Sequence, residues 1–176
     1  MKMNILIGGT GGQGIVAAGE FLSQALFMKG YEVMFGRSYG SEARGGSCRS
    51  EVMVSDSEIN DLQFEESDVL LCLSLPAFKK YLSRAKSGSL VVVDSLVVGR
   101  FHGVIREDVG VIMVPARDIA VRLGNQIVAN MVVLGALARR SDVLSLELLK
   151  DAVMENMRED MREINLQALQ EGYDYI

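Results

Sequence analysis

The chain has 176 residues, of which 49% are hydrophobic and 2 are proline, and this length and composition favour one folded domain spanning 1–176. Its formal net charge of −5 argues against a nucleic-acid-binding protein, which would need a concentrated Lys/Arg surface. The longest apolar stretch, 127–138, is far shorter than the roughly 20 residues that cross a bilayer, so no membrane segment is expected.

The first 35 residues predict a strand, a glycine loop, a helix and a second strand. The apolar run 3–7 ends in glycines, and apolar residues then recur at helical spacing until Gly30 ends the helix. A second strand is predicted at 33–35. The stretch 36–47 is rich in Gly, Ser and Arg without either periodicity, and it is predicted to be a long functional loop.

The middle of the chain predicts more strands of two kinds. Apolar and polar residues alternate over 48–54, which favours a strand with one partly exposed face. Continuous apolar runs at 69–73, 90–93 and 111–114 are typical of strands buried on both faces. A helix is predicted between the first two of these runs, with Pro76 at its start and Gly88 following it.

From residue 116 onward the pattern becomes helical, with helices predicted at 119–123, 127–137, 146–157 and 161–169. The predicted fold class is therefore α/β: a three-layer α/β/α sandwich with a mostly parallel, mixed sheet and a helical C-terminal third. The last 30 residues carry eight acidic and three basic side chains. This charge is consistent either with a solvated helix face or with a docking surface.

Residues 9–14 match the spacing G-x-G-x-x-G between a predicted strand and a predicted helix. Such a loop lets the backbone approach a ligand closely, and the free N–H groups of the helix start favour an anion. Alternatively, the glycines serve only close packing or the approach of another chain. The candidate ligand-binding residues in this first loop are Gly9, Gly11, Gly12, Gln13 and Gly14.

Two nucleotide-binding alternatives fit less well. Ile15 and Val16 stand where a Walker A loop would have its Lys and Ser/Thr. The acidic residue that holds the NAD ribose is absent after the second predicted strand, where Arg37 follows Gly36. Because Arg37 suits a 2′-phosphate, an NADP-binding Rossmann enzyme stays open as an alternative.

The predicted loop after the second strand, here called the second loop, is locally positive. Three arginines in and beside it (Arg37, Arg44 and Arg49) outnumber one acid, Glu42. Arg44 either binds an anion together with the glycine loop or forms a surface ion pair with Glu42. A stand-alone anion-binding module is thus a further alternative. The only histidine, His102, has no serine elbow near it and is expected on a surface loop, so no catalytic residue is predicted.

Cys48 and Cys72 lack the close spacing of zinc or iron–sulfur ligands, and the sequence opens without a signal peptide. We expect reduced thiols, a cytoplasmic protein and no metal ligands.

Two motifs together, 3–16 (MNILIGGTGGQGIV) and 38–46 (SYGSEARGG), resemble the gamma subunit of 2-oxoacid:ferredoxin oxidoreductases. The resemblance continues through Pro115-Ala116, through Asn130 with 134–136 (LGA), and into a C-terminal helix with Asn165 and 171–173 (EGY). It therefore covers essentially the whole chain.

The resemblance implies a non-catalytic subunit of an enzyme that converts a 2-oxoacid and coenzyme A to acyl-CoA and CO2 and reduces ferredoxin. It implies a role in assembly with alpha, beta and ferredoxin-like delta subunits. Thiamine diphosphate, magnesium and iron–sulfur clusters would lie on those partners, and the sequence itself lacks the Gly-Asp-Gly…Asn motif of thiamine enzymes.

The resemblance also implies part of a coenzyme A site, with contacts from the first loop and from Ser38, Tyr39, Gly40, Arg44, Gly45 and Gly46. The second loop is more similar to that of 2-oxoglutarate-type gamma chains than to indolepyruvate-type subunits, whose His-Gly-Met-Ser-Gln lead-in is absent. One departure is Ala43, where related loops often have Met.

Overall fold

A computed structural model describes residues 1–39 and 46–176 of the protein. Within these ranges the strands are β1 (Lys2–Thr10), β2 (Glu32–Tyr39), β3 (Ser47–Ser55), β4 (Ser67–Cys72), β5 (Ala85–Asp94) and β6 (Gly110–Val114). The helices are α1 (Ile15–Met28), α2 (Leu75–Tyr81), α3 (Ser95–Gly99), α4 (Ala116–Arg122), α5 (Ala129–Arg140), α6 (Leu146–Asn156) and α7 (Glu159–Tyr175). Short 3-10 turns precede β5 at Leu82–Arg84 and α5 at Gln126–Val128.

The strands form one sheet in the order β2-β3-β1-β4-β5-β6. β3 runs antiparallel to both of its neighbours, and the remaining pairs are parallel, so the predicted mostly parallel, mixed sheet is confirmed. The alternation in β3 is present as predicted, because Cys48 and Ser50 are buried while Arg49 and Glu51 are partly exposed. From Val52 onward this strand is buried on both faces.

Helices cover the two faces of the sheet unequally. Ile5 and Ile7 of β1 belong to the larger apolar core, which they share with α1 and the helices from α4 onward. Leu6, between them, points to the opposite face and joins a smaller core with α2 and α3. This alternation of a strand buried on both sides confirms the three-layer sandwich and the helical C-terminal third.

α5 and α7 pack with their backbones in contact. α5 is buried from Ala129 to Ala138, so it lies between the sheet and α7. A Cβ atom at Gly135 would overlap the carbonyl oxygen of Leu169, and one at Gly172 would overlap that of Val132. The two glycines thus allow a helix contact that any side chain would block.

Two predicted element bounds were wrong, and one short helix was not predicted. Gly36 to Tyr39 and Ser47 belong to β2 and β3, because pairing with β3 satisfies their backbone regardless of composition. The helix predicted between Pro76 and Gly88 is shorter than expected: α2 ends at Tyr81 and the 3-10 turn after it ends at Arg84, and Gly88 lies inside β5 with a φ of +79°. α3 has only five residues, too short for a periodic signal, and was not predicted.

Within the described part of the chain, no helix combines the length and the apolar composition that a membrane crossing requires. The same residues contain no cluster of three or more His, Cys, Asp or Glu side chains arranged to hold a metal ion.

Candidate ligand-binding crevice

The glycine loop turns the chain from β1 into α1 in four residues. Gly12 has a φ of +90°, and Gly14, at the N-terminal cap of α1, has a φ of +68°. Both values lie in the left-handed region, where glycine avoids the steric cost of a side chain. At Gly9 a Cβ would lie 2.5 Å from the side chain of Ile15, so this glycine serves close packing of the loop on α1.

The side chain of Gln13 connects the glycine loop to the end of β4 by hydrogen bonds. Its Oε1 accepts a hydrogen bond from the backbone N–H of Thr10 at 2.8 Å, and its Nε2 donates to the carbonyl of Leu73 at 2.9 Å. Thr10 ends β1 and Leu73 directly follows β4, so one side-chain amide joins the ends of two neighbouring parallel strands.

The sheet changes winding direction at these two strands. The chain leaves β1 through α1 toward β2 on one side, and it leaves β4 through α2 toward β5 on the other side. α1 and α2 cover opposite faces, so a crevice opens beyond the carboxyl ends of β1 and β4. This is the place where open α/β sheets bind ligands.

Two adjoining cavities occupy this crevice, and Gln13 and Arg117 line both. One measures about 170 Å³ and is lined by Gly12, Gln13, Leu73, Asp94, Arg117, Gln126 and Ala129. The other measures about 190 Å³ and is lined by Thr10, Gln13, Ser74, Leu75, Pro76, Leu96, Val97, Arg100 and Arg117.

The charges in the crevice are not balanced. Asp94, only 1% exposed, accepts backbone hydrogen bonds from Leu96 at 2.9 Å and Arg117 at 2.8 Å, so its carboxylate anchors the starts of α3 and α4. The Arg117 guanidinium donates to the Leu73 carbonyl at 3.4 Å. Neither Arg117 nor Arg100 forms an ion pair with a carboxylate among the described residues, which leaves two positive side chains for an anion.

The predicted site residues divide into three groups. Of the five in the first loop, Gly12 and Gln13 line the crevice, whereas Gly9 packs on Ile15 and Gly14 lies against Asn130. Gly11 donates its N–H to the Gly46 carbonyl at 3.2 Å. Ser38 and Tyr39 lie on β2, which β3 separates from β1 by two strand spacings, or roughly 10 Å.

Gly40, Arg44 and Gly45 fall outside the described residues, so their part in the site remains a prediction.

Arg37 and Arg49, the arginines on either side of the 38–46 motif, lie beside carboxylates. Arg37 forms a half-exposed ion pair with Glu20 at 3.3 Å, and Arg49 lies 3.5 Å from Glu51. In the strand order of a dinucleotide-binding Rossmann fold, the second strand lies beside the first, whereas in this sheet β3 lies between them. The geometry therefore gives the NADP-binding alternative no support.

The sequence reasoning did not single out Arg100, Arg117 or Gln126 as site residues. The sequence indicates two of them only by position: Arg100 closely follows the fifth strand, and Arg117 follows the sixth. The carboxyl ends of parallel strands meet at one edge of a sheet, but only the strand order shows which ends adjoin the glycine loop. His102 lies exposed in the loop between α3 and β6, as predicted.

The two cysteines are free and buried, which confirms the predicted unbridged thiols. They lie on the two strands that flank β1: Cys48 on β3 pairs with Gly9, and Cys72 on β4 pairs with Gly8. Burial raises the pKa of both thiols above the ordinary value. At neutral pH both are therefore protonated and poor nucleophiles.

Known proteins resemble this chain along its full length. Residues 4–175 match the family model described as pyruvate ferredoxin/flavodoxin oxidoreductase. The 2-oxoglutarate synthase subunit KorC of Methanocaldococcus jannaschii is 37% identical over 176 residues, which cover 99% of this chain and 94% of that protein.

Two solved structures share the fold. The gamma subunit of a keto/oxoacid ferredoxin oxidoreductase from Geobacter sulfurreducens has a TM-score of 0.85 and 31% identity, covering 99% of this chain and 95% of that one. The 2-oxoglutarate:ferredoxin oxidoreductase of Magnetococcus marinus, solved with 2-oxoglutarate, coenzyme A and succinyl-CoA bound, has a TM-score of 0.86 and 25% identity. The match covers 99% of this chain and 31% of that longer chain.

The predicted resemblance is thereby confirmed for the whole sequence rather than for its glycine motifs alone. The chain belongs to the pyruvate ferredoxin/flavodoxin oxidoreductase family, as a gamma-type subunit of a 2-oxoacid:ferredoxin oxidoreductase.

Proposed function

We propose that residues 1–176 act as one gamma-type domain of a 2-oxoglutarate:ferredoxin oxidoreductase and hold the phosphate-bearing part of coenzyme A in the crevice between β1 and β4. The assembled enzyme would convert 2-oxoglutarate and coenzyme A to succinyl-CoA and CO2, with the electrons passing to ferredoxin. The 37% identity to a 2-oxoglutarate synthase subunit supports this substrate.

The observation that carries the coenzyme A proposal is the unneutralised Arg117 guanidinium beside the glycine loop. At Gly12, where a Cβ would have no described atom within 4 Å, a phosphate oxygen can approach the backbone. Arg117 and the more exposed Arg100 supply charge-assisted hydrogen bonds to the same anion, each worth about 1.5–3 kcal/mol. Coenzyme A carries the diphosphate that this arrangement fits.

The chain itself breaks no bond in this proposal. The two thiols are buried and the only histidine lies exposed in a loop, so no cysteine beside a histidine is available as an activated nucleophile. Thiamine diphosphate, its magnesium and the iron–sulfur clusters are assigned to the alpha, beta and delta subunits. The role of this chain is to orient one substrate and to take part in assembly.

The test is the Michaelis constant for coenzyme A in the assembled enzyme carrying Arg117→Ala. We expect KM to rise at least tenfold, which corresponds to about 1.4 kcal/mol of lost binding. Arg122→Ala is the matched control, because Arg122 lies on the same helix but pairs with Glu171 at 2.6 Å. Equal KM values for Arg117→Ala and the unmodified enzyme would exclude Arg117 from the site.

A second variant, Arg44→Ala, tests the predicted contribution of the loop that follows β2. If Arg44 binds the same anion, its loss raises KM for coenzyme A while turnover at saturation is preserved. An unchanged KM would leave Arg44 as a surface residue, with the crevice formed by the first loop and Arg117 alone.

A further inference from the structure

An apolar groove lies on the far side of the 3-10 turn that lines the crevice. It measures about 230 Å³, and Ala17, Ile127, Met157 and Met161 form much of its wall. Ile127 is 53% exposed, and the two methionines are half-buried. Flexible methionine side chains adapt to an inserted group, so this wall is suited to contact with another molecule.

The groove also contains a buried acceptor that lacks a donor. Asn130, only 5% exposed, donates from Nδ2 to the carbonyl of Gly14 at 3.0 Å. That contact fixes the orientation of the amide, because the reverse orientation would set two oxygens against each other. Its Oδ1 is buried and accepts no hydrogen bond from the described residues, a state that costs about 1–3 kcal/mol. An N–H donor in the groove would recover this energy.

The surroundings of the groove are acidic. The segment 155–163, which carries both methionines, has four acids against two arginines: Glu155, Glu159, Asp160 and Glu163 against Arg158 and Arg162. Arg158 is the charged residue in the lining of the groove, and it is paired with Asp160 at 2.8 Å. The acids themselves lie around the groove and not in its lining. A polyanion such as coenzyme A is repelled by this net charge, whereas Lys or Arg residues are attracted.

We propose that this groove docks an extended, apolar segment of a partner subunit that has basic residues on either side. An apolar side chain enters between Ile127 and the methionines, and a backbone N–H of the segment donates to Asn130 Oδ1. The proposal rests on the subunit role given above. The partner is the subunit that corresponds to the rest of the longer Magnetococcus marinus chain, of which the present fold forms 31%.

This docking would act on the crevice through one hydrogen bond. Asn130 connects the groove to Gly14, and the Gly14 carbonyl also accepts the first intrahelical bond of α1, from Ala18 at 2.9 Å. A segment bound to the Asn130 amide therefore holds the end of the glycine loop in place.

The test compares Ile127→Arg with Val121→Arg. Both native side chains are 53% exposed and β-branched, but Val121 lies on α4, away from the groove. Each tagged chain is co-expressed with the alpha, beta and delta subunits, and the bound partners are quantified by mass spectrometry. We expect Ile127→Arg to retain at least tenfold less partner and Val121→Arg to retain the normal amount. Normal retention by Ile127→Arg would overturn the proposal.

Hydrogen exchange on the unmodified protein gives a test that does not depend on the fold of a variant. Amides in 127–131 and 157–165 should exchange more slowly in the complex than in the free chain. Equal exchange in these segments would overturn the docking site even if Ile127→Arg failed to fold. An unmodified chain that retains no partner would overturn the subunit role as well, whereas an unchanged coenzyme A constant in Arg117→Ala would affect the crevice alone.

Discussion

The glycine loop and the contact between α5 and α7 both depend on glycine, for opposite reasons. At Gly12 a Cβ would meet no described atom within 4 Å, so the missing side chain leaves open space beside the backbone. At Gly135 and Gly172 the same atom would overlap a carbonyl oxygen of the neighbouring helix. Among the described residues, the first region leaves space beside the backbone, and the second fills its space by packing. The glycines of both regions stood in sequence motifs, but the motifs did not show which glycines leave space and which allow close packing.

The largest effect is expected from Gly172→Ala, which should break the helix contact. The new methyl group must push α7 away from the Val132 carbonyl, and such overpacking costs about 3 kcal/mol. For a chain of this length we expect the melting temperature to fall by roughly 10 °C. Thermal unfolding of the isolated chain, followed by circular dichroism, measures this fall in melting temperature.

Gly99→Ala is the matched control for this helix contact. Gly99 is the last residue of α3, and no described atom lies within 4 Å of the added Cβ. Alanine is the better helix former by up to about 1 kcal/mol, so stability should stay equal or rise. Equal losses in Gly99→Ala and Gly172→Ala would show that the α5–α7 packing is not the cause.

The second largest effect is expected from Gly12→Ala, which should lower stability slightly and weaken coenzyme A binding more strongly. Gly12→Ala imposes a positive φ on alanine, which costs about 1 kcal/mol, and its methyl group enters the crevice. Gly30→Ala is the matched control, because Gly30 has a φ of +93° and equally open surroundings far from the crevice. Both variants should lose similar stability in urea, while only Gly12→Ala raises KM for coenzyme A in the assembled enzyme.

The third comparison is between the two thiols beside β1. Reaction with a thiol reagent needs the thiolate, and burial raises the pKa of both Cys48 and Cys72, so neither should react readily at pH 7. Cys72 is completely buried between the sheet and α2, so it should react only as the chain unfolds. Cys48 should react first as the pH is raised. Labelling of Cys48→Ser and Cys72→Ser between pH 7 and pH 9 checks this order.

The smallest effect is expected at the surface pair Arg106 and Asp108. Hydrogen bonding to Arg106 lowers the pKa of Asp108. A carboxyl group with a lowered pKa stabilises the fold above its unfolded pKa of about 3.9, and this contribution is lost as the pH falls through the folded value. Asp108→Asn should therefore shift the urea midpoint slightly at pH 7 and not at pH 2. A large shift would show that the pair does more than an exposed ion pair does.

Much of the fold was predictable because most strands carry strong local patterns. The continuous apolar runs of β4 and β5 reflect burial on both faces, and the alternation in β3 reflects its partly exposed face. The prediction of burial on both faces was wrong for β6, which lies at the edge of the sheet and has Met113 51% exposed. The end of β2 was not predictable, because Gly36 to Tyr39 become a strand only through pairing with β3. That pairing joins positions 36–39 to positions 48–51 of the next strand, and the composition of 36–39 alone does not record it.

The candidate site was predictable only in its first half. The glycine motif located the loop and the start of α1, since both follow from backbone conformations that favour glycine. Arg100 and Arg117 come from segments about 90 and 105 positions further on, and only the order of the sheet brings them beside Gln13. Neither arginine differs in type or spacing from the many arginines that remain on the surface.

The side chain of Gln13 substitutes for a peptide group in the sheet. The last backbone hydrogen bond between β1 and β4 runs from the Leu73 N–H to the Gly8 carbonyl at 3.0 Å, and beyond it the Gln13 amide supplies the next rung by bonding to Thr10 and Leu73. The floor of the crevice is therefore rigid before any ligand arrives. A ligand that binds there loses little affinity to ordering of the protein. Glu at this position would keep the shape but set two oxygens together at Leu73, and the ends of β1 and β4 would lose this connection at the proposed binding site.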